Sequence, residues 1–146
     1  MHEPTFEDGL DLILTKDSRY QRDGYLFVRE ALDHTQKAIV KENRGNLRHV
    51  SGQELLGGIR EYALSQFGPM TSTVLAEWGI RNCQDFGEIV FNMVEAGLLA
   101  KTEKDSRDDF QNGYDFFEAF EKPFLPSHKL NNRGAAASPA DTQPNR

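Results

Sequence analysis

Apolar residues recur along this chain at spacings of three and four, and the recurrences fall into five blocks separated by turn-forming residues. Phe6, Leu10, Ile13 and Leu14 share one face of a short helix over Thr5 to Leu14. The segment Thr15-Lys-Asp-Ser-Arg-Tyr20 breaks the pattern. A second helix then runs from about Tyr20 to Glu42, its stripe made by Val28, Ala31, Leu32, Thr35 and Ile39 and widened by Phe27 and Val40. Asn43, Gly45 and Asn46 end it with loop chemistry. The third helix opens on Ser51 and Glu54, the spacing of a capping box in which hydroxyl and carboxylate each take a backbone N–H. Its apolar face is Leu55, Leu56, Ile59, Tyr62, Ala63 and Phe67. Gly57 and Gly58 lie one turn inside, where each costs about 1 kcal/mol relative to alanine, so a close neighbour, most simply another helix, is expected there.

Gly68-Pro69 ends the third helix and starts a fourth, because proline is tolerated at a first helical position. Val74, Leu75 and Trp78 face inward and Gly79 closes it. Asn82 caps a fifth helix to Ala96 with Asp85 at its third position, a core stripe of Phe86, Ile89, Val90, Met93 and Val94, and Gly97 as the left-handed stop. Beyond it, Leu98 to Glu103 and Tyr114 to Phe120 read as two strands of a long hairpin around the acidic loop Lys104 to Gly113, with a short helix over Asp115 to Phe120 as the competing reading. The expected fold is mainly α (α+β): about five helices with a small C-terminal β-hairpin, in the order of a winged helix-turn-helix from Pro69 to Phe120.

A chain of 146 residues supports one domain with a real core, expected over residues 1–125. Asn, Gly, Ala, Pro and Gln dominate the C-terminal stretch, and residues 126–146 are expected to form a disordered tail. The net charge of −6 weighs against a general polyanion binder. No apolar run reaches the roughly 18 residues of a membrane span, and the acidic N-terminal stretch lacks the basic region of a secretory signal. A cytoplasmic protein with no membrane partner is expected. The single Cys83 permits no intrachain disulfide, and its place at a helix start is offset by nearby Asp85, so an incidental thiol is expected. No cofactor and no metal site are implied: the four histidines lack ligand spacing, and Asp105, Asp108 and Asp109 lack the EF-hand pattern and read as a solvated turn.

Three functional readings remain. The fifth helix carries Asp85, Glu88 and Glu95 and no Lys or Arg, so it is ill-suited to approach phosphates. The leading expectation is therefore a non-catalytic protein-interaction module, acting on a protein partner or as a homodimer, with Arg60, Arg81, Asp85, Glu88 and Asn92 as the exposed candidates on its helix-turn-helix-wing face. The alternative is nucleic-acid binding through a basic stripe on the second helix, Arg29, Lys37, Lys41, Arg44 and Arg48. Residues 16 to 48 hold eight Lys and Arg against five acids, the only stretch where such a footprint could sit. Asn43 and Gly45 suggest, however, that the helix stops before Arg48. The third reading is an enzyme with a pocket around His49 that would draw on Glu54, Arg60 or Tyr62. Ser51 and Glu54 are already accounted for by capping.

The blocks His-Val-Ser-Gly-Gln-Glu-Leu (His49 to Leu55), Gln-Phe-Gly-Pro (Gln66 to Pro69), Trp-Gly-Ile (Trp78 to Ile80) and Asp-Phe-Gly-Glu-Ile-Val-Phe (Asp85 to Phe91) are long and specific. On these, the chain resembles a small bacterial protein family from around Phe6 to about Phe120. The resemblance implies a bacterial, cytoplasmic, single-domain protein. It carries no assigned reaction, cofactor or site residue.

Overall fold

The computed structural model describes residues 5–45, 49–100, 106–111 and 113–126. Five α-helices carry the architecture: α1 (Phe6–Lys16), α2 (Arg22–Glu42), α3 (Gly52–Phe67), α4 (Thr71–Glu77) and α5 (Cys83–Glu95). Their ends follow local chemistry. Thr5 and Asp8 form a capping box at the start of α1, and Ser51 with Glu54 forms the box expected at α3, at 3.0 and 3.1 Å. Asn82 Oδ1 accepts the Asp85 N–H at 2.9 Å, which fixes the start of α5. Gly79 (φ 90°) and Gly97 (φ 78°) supply the left-handed residues after α4 and α5 that a side chain would resist.

Two boundaries differ from expectation. The second helix begins at Arg22 rather than Tyr20, because the Gln21 N–H is drawn to the Trp78 carbonyl and Tyr20 is buried outside the helix. The fourth helix begins at Thr71, after a 3-10 turn over Gly68–Met70. The Thr71 hydroxyl lies 2.7 Å from the Gly68 carbonyl and 3.2 Å from the Ala63 carbonyl and is fully buried there.

The largest correction concerns the hairpin. Among the described residues there is no strand. Leu98 and Leu99 form a bend, Ala100 has no regular structure, and residues 101–105, which include half of the first expected strand, lie outside the described residues. The second expected strand is helical: a π-turn over Phe117–Glu121 followed by a 3-10 turn over Lys122–Phe124. Asp115 Oδ2 accepts the Glu118 N–H at 3.0 Å and nucleates the turn. Adjacent Ala119 and Phe120 are both buried, which a strand with one covered face does not allow. The competing helical reading of Asp115 to Phe120 is the one observed, so no wing follows α5 in the described part. The tail expected over 126–146 lies, apart from Pro126, outside the described residues.

The buried apolar residues form one cluster with α5 at its centre, packed against α1, α2, α3 and the 3-10 turn Arg107–Phe110. Phe110 of that turn sits where Gly87 and Gly52 have no side chains, and edge-on to Phe91. Helices α2 and α3 approach closely at Gly58, where a Cβ would overlap the Thr35 hydroxyl. A helix neighbour was expected for the Gly57-Gly58 pair, and it exists for Gly58 alone, since Gly57 opens onto space with nothing within 4 Å.

Candidate functional site

The residues that chemistry singled out on α5 come together, with partners no local pattern marked. Asp17 closes α1, and Arg19 follows in the connection to α2. Arg19 Nη2 donates to Asp17 Oδ2 at 2.6 Å and to Glu88 Oε1 at 3.1 Å. Asn92 Nδ2 donates to Asp17 Oδ2 and to the Tyr25 hydroxyl oxygen, each at 3.0 Å. The Tyr20 hydroxyl donates to Asp85 Oδ1 at 2.6 Å, and the Arg81 backbone N–H donates to Asp85 Oδ2 at 2.8 Å. Arg107 lies over the Phe91 ring at 5.0 Å and reaches Glu88 at 3.4 Å and Glu95 at 3.5 Å. This charged web ties the α1–α2 connection and the Arg107–Phe110 turn across the polar face of α5.

Electrostatics follow from that geometry. The Arg19 guanidinium holds the Asp17 carboxyl far below the usual carboxylate range, and Asp17, then Glu88, raises Arg19 in return. Burial, then the hydrogen bond to Asp85, pushes the Tyr20 phenol up. Burial does the same for Tyr25. Arg19, Glu88 and Arg107 also edge a polar depression of about 290 Å³ with Gln84 and Gln111. Asp85, Glu88 and Asn92 therefore have their polar groups committed within the molecule, and Arg81 contributes its backbone while its side chain is exposed. Arg60 does not join this group. It is exposed on α3.

The residues named for an enzyme pocket are not brought together. His49 and Ser51 border a cavity of about 300 Å³ between α2, the start of α3 and the end of α5. Glu54 edges a separate depression between α2 and α3, with His34, Gly57 and Glu61. Tyr62 stacks on Phe27, lies tilted against the His34 ring and donates to Glu30 at 3.2 Å. Ser51 Oγ accepts the Glu54 N–H as a helix cap.

The basic residues of the second helix are dispersed. Arg29 lies over the Phe6 ring at 4.7 Å. Lys37 and Lys41 are exposed, and Asp33 stands one turn from both Arg29 and Lys37 on the same face. Arg44 leaves the helix in a left-handed conformation (φ 56°), and Arg48 lies outside the described residues. Among the described residues no three His, Cys, Asp or Glu side chains could hold a metal ion. Of the acidic loop, Asp105 lies outside the described residues, while Asp109 takes the Ser106 N–H in a capping box. The Cys83 thiol is buried, donates to the Tyr114 carbonyl at 3.4 Å and is raised by burial.

One surface feature was not legible as a site. Met70 (55% exposed) precedes α4, Phe117 (47%) belongs to the π-turn that packs against α4, and Phe124 (44%) and Leu125 (40%) belong to the 3-10 turn that packs on that π-turn and to its end. Ser72 Oγ donates to Glu121 Oε2 at 3.0 Å and joins α4 to the π-turn. No described helix is long and apolar enough to cross a membrane. Comparison with family models, with curated proteins and with solved structures finds no match to this chain.

Proposed function

We propose that the protein is a non-catalytic interaction module whose docking face lies where α4 meets the C-terminal turns. The observation that carries this reading is the exposed apolar set Met70, Phe117, Phe124 and Leu125. Apolar side chains grouped on a surface and rimmed by polar residues are the usual mark of a protein-binding site, whereas scattered single ones are not. Leu12, exposed alone on α1, belongs to the scattered kind. The same elements carry exposed acids, Glu77 at the end of α4 and Asp115, Glu118 and Glu121 along the C-terminal turns, and Lys122 is paired with Glu118 at 3.2 Å. A two-fold contact between identical copies would set these acids against one another. The complementary partner is a protein segment with an apolar anchor flanked by Lys or Arg.

This placement moves the docking face away from the Arg81, Asp85, Glu88 and Asn92 surface expected from sequence, where the internal web already uses the polar groups of the three α5 side chains. The resemblance to a bacterial family assigns no reaction and bears equally on either face.

The test is affinity capture from native lysate, with nuclease present, of the wild type beside Phe117→Glu/Phe124→Glu and beside Asp85→Asn. A partner retained by the wild type and Asp85→Asn, released by the Phe117/Phe124 variant and weakened by salt, is the expected result. Retention by all three places docking elsewhere. Release by Asp85→Asn alone returns it to the α5 face. Nucleic acid in the eluate without nuclease, lost on Lys37→Glu/Lys41→Glu, favours the nucleic-acid reading.

A further inference from the structure

The apolar stripes of α2 and α5 are not fully covered. Leu32 on α2, Val90 and Val94 on α5, and Leu98 and Leu99 just beyond it are each half-buried, although the helical period puts the first three on core faces. All five line the cavity of about 300 Å³. Buried residues, Leu55 at 5% exposure among them, close its inner wall. That volume stands at the lower end of the roughly 300–1,000 Å³ typical of small-molecule sites, and about twice that of an apolar cavity that admits benzene.

The polar lining is mixed, with Arg29, His49 and Ser51 beside Asp33, Gln36 and Asp109, and the side chains on it that stay open are on α2. Asp33 and Gln36 project from adjacent turns of α2 and make no hydrogen bond or ion pair among the described residues. Two carboxylates, Asp33 and Asp109, line the cavity against one guanidinium, and that of Arg29 lies on the Phe6 ring. Asp109 packs against Gly52 at the start of α3, and its carboxylate already accepts the Ser106 N–H at 3.2 Å. A carboxylate and a side-chain amide oxygen held open beside an apolar cleft accept N–H donors.

We infer that this cavity is a binding site for a small amine: an apolar body of one or two rings between Leu32, Val90, Val94 and Leu98, and an ammonium group on Asp33 and Gln36. The site is on α2 and α5, separate from the proposed docking face, and stands or falls independently of it. Its chemistry is recognition only. No bond is made or broken.

A charge-swapped pair of probes tests it. Tryptamine and indole-3-propionate share the ring system and nearly the same length and differ in the sign of the head group. Each is titrated into the ¹⁵N-labelled full chain and followed by amide chemical shifts. The expected result is saturable binding of tryptamine, with shifts centred on Leu32, Gln36, Val90, Val94 and Leu98, and affinity about tenfold above that of the carboxylate. Asp33→Asn, on an exposed position that leaves the core intact, lowers tryptamine affinity several-fold and leaves that of uncharged 3-ethylindole unchanged. Val94→Phe fills the cleft and removes both. No saturable shift up to about 10 mM, equal or tighter binding of the carboxylate, indifference to Asp33→Asn, or shifts centred elsewhere would each overturn the assignment.

Discussion

Two adjacent glycines in α3 give a test of how closely the helices are packed. Gly57 and Gly58 have the same residue type, the same helix and nearly the same position, so alanine at each adds one methyl and raises helix propensity by about 1 kcal/mol. At Gly57 the new methyl meets nothing within 4 Å, and propensity is the whole effect. Gly57→Ala should stabilise by about 1 kcal/mol, which at a urea m-value of about 2 kcal/mol/M moves the midpoint up by about 0.5 M. At Gly58 the methyl overlaps the Thr35 hydroxyl and stands 2.9 Å from Thr35 Cβ and 3.1 Å from Cγ2. Thr35 has little room to yield, because it is buried and its hydroxyl donates to the Ala31 carbonyl at 2.8 Å. Overpacking of this kind costs about 1–3 kcal/mol. With the α2–α3 pair forced apart, the upper part of that range exceeds the propensity gain, and Gly58→Ala should destabilise by about 1–2 kcal/mol.

The assay is urea unfolding followed by far-UV circular dichroism, with m-values checked for constancy. The discriminating quantity is the difference of about 2–3 kcal/mol between neighbouring Gly→Ala substitutions. A Thr35→Ala background removes Oγ1 and Cγ2, leaving only Cβ near the new methyl, so it should recover at least half of the Gly58→Ala penalty. Equal effects at the two positions, or a penalty unchanged by Thr35→Ala, would refute the close approach of α2 and α3 at this point.

Three further expectations rest on single groups. Asp17 is held below its ordinary value by Arg19, so its contribution is fully present above the unfolded pKa near 3.8 and is lost as pH falls below it. Asp17→Asn should therefore flatten the acid limb of a stability–pH curve, and an unchanged limb counts against the web. All four tyrosines are raised, with burial the largest cause for each, so their contribution is present below the unfolded value of about 10 and lost as pH rises. Tyrosinate absorbance should then appear together with loss of circular dichroism; titration of folded protein at the free-phenol pKa contradicts it. Thr71→Val, which keeps the shape and removes a buried hydroxyl bonded to two carbonyls, should cost about 1–3 kcal/mol in the same urea assay.

What the sequence made legible has a common physical character. Capping at Ser51–Glu54 and Asn82–Asp85, the stops at Gly79 and Gly97, and the apolar faces of α2 and α3 are decided within one or two helical turns. The interaction that forms them is local, and the pattern is written in neighbouring residues. The web around α5 is decided over much greater separations: Asp17 meets Asn92, and Tyr20 meets Asp85, 75 and 65 residues apart. Asp85, Glu88 and Asn92 could be noticed as polar residues on an amphipathic helix, but the TKDSRY segment that completes them looked only like a break in periodicity. The C-terminal misreading has another cause. Tyr114, Phe116 and Phe117 are strand-prone, yet strand formation needs a partner edge, and with none in the described chain Asp115 turns the backbone inward instead. The same limit applies to the cavity. Periodicity identifies Leu32, Val90 and Val94 as an apolar face but says nothing about what covers that face. Phe91, off the expected stripe, is buried because Phe110 and Arg107 come from a distant turn to cover it. Burial on α5 is thus set from outside the helix: the polar side acquired a cover through Arg19 and Arg107, while part of the apolar side was left open beside Asp33 and Gln36.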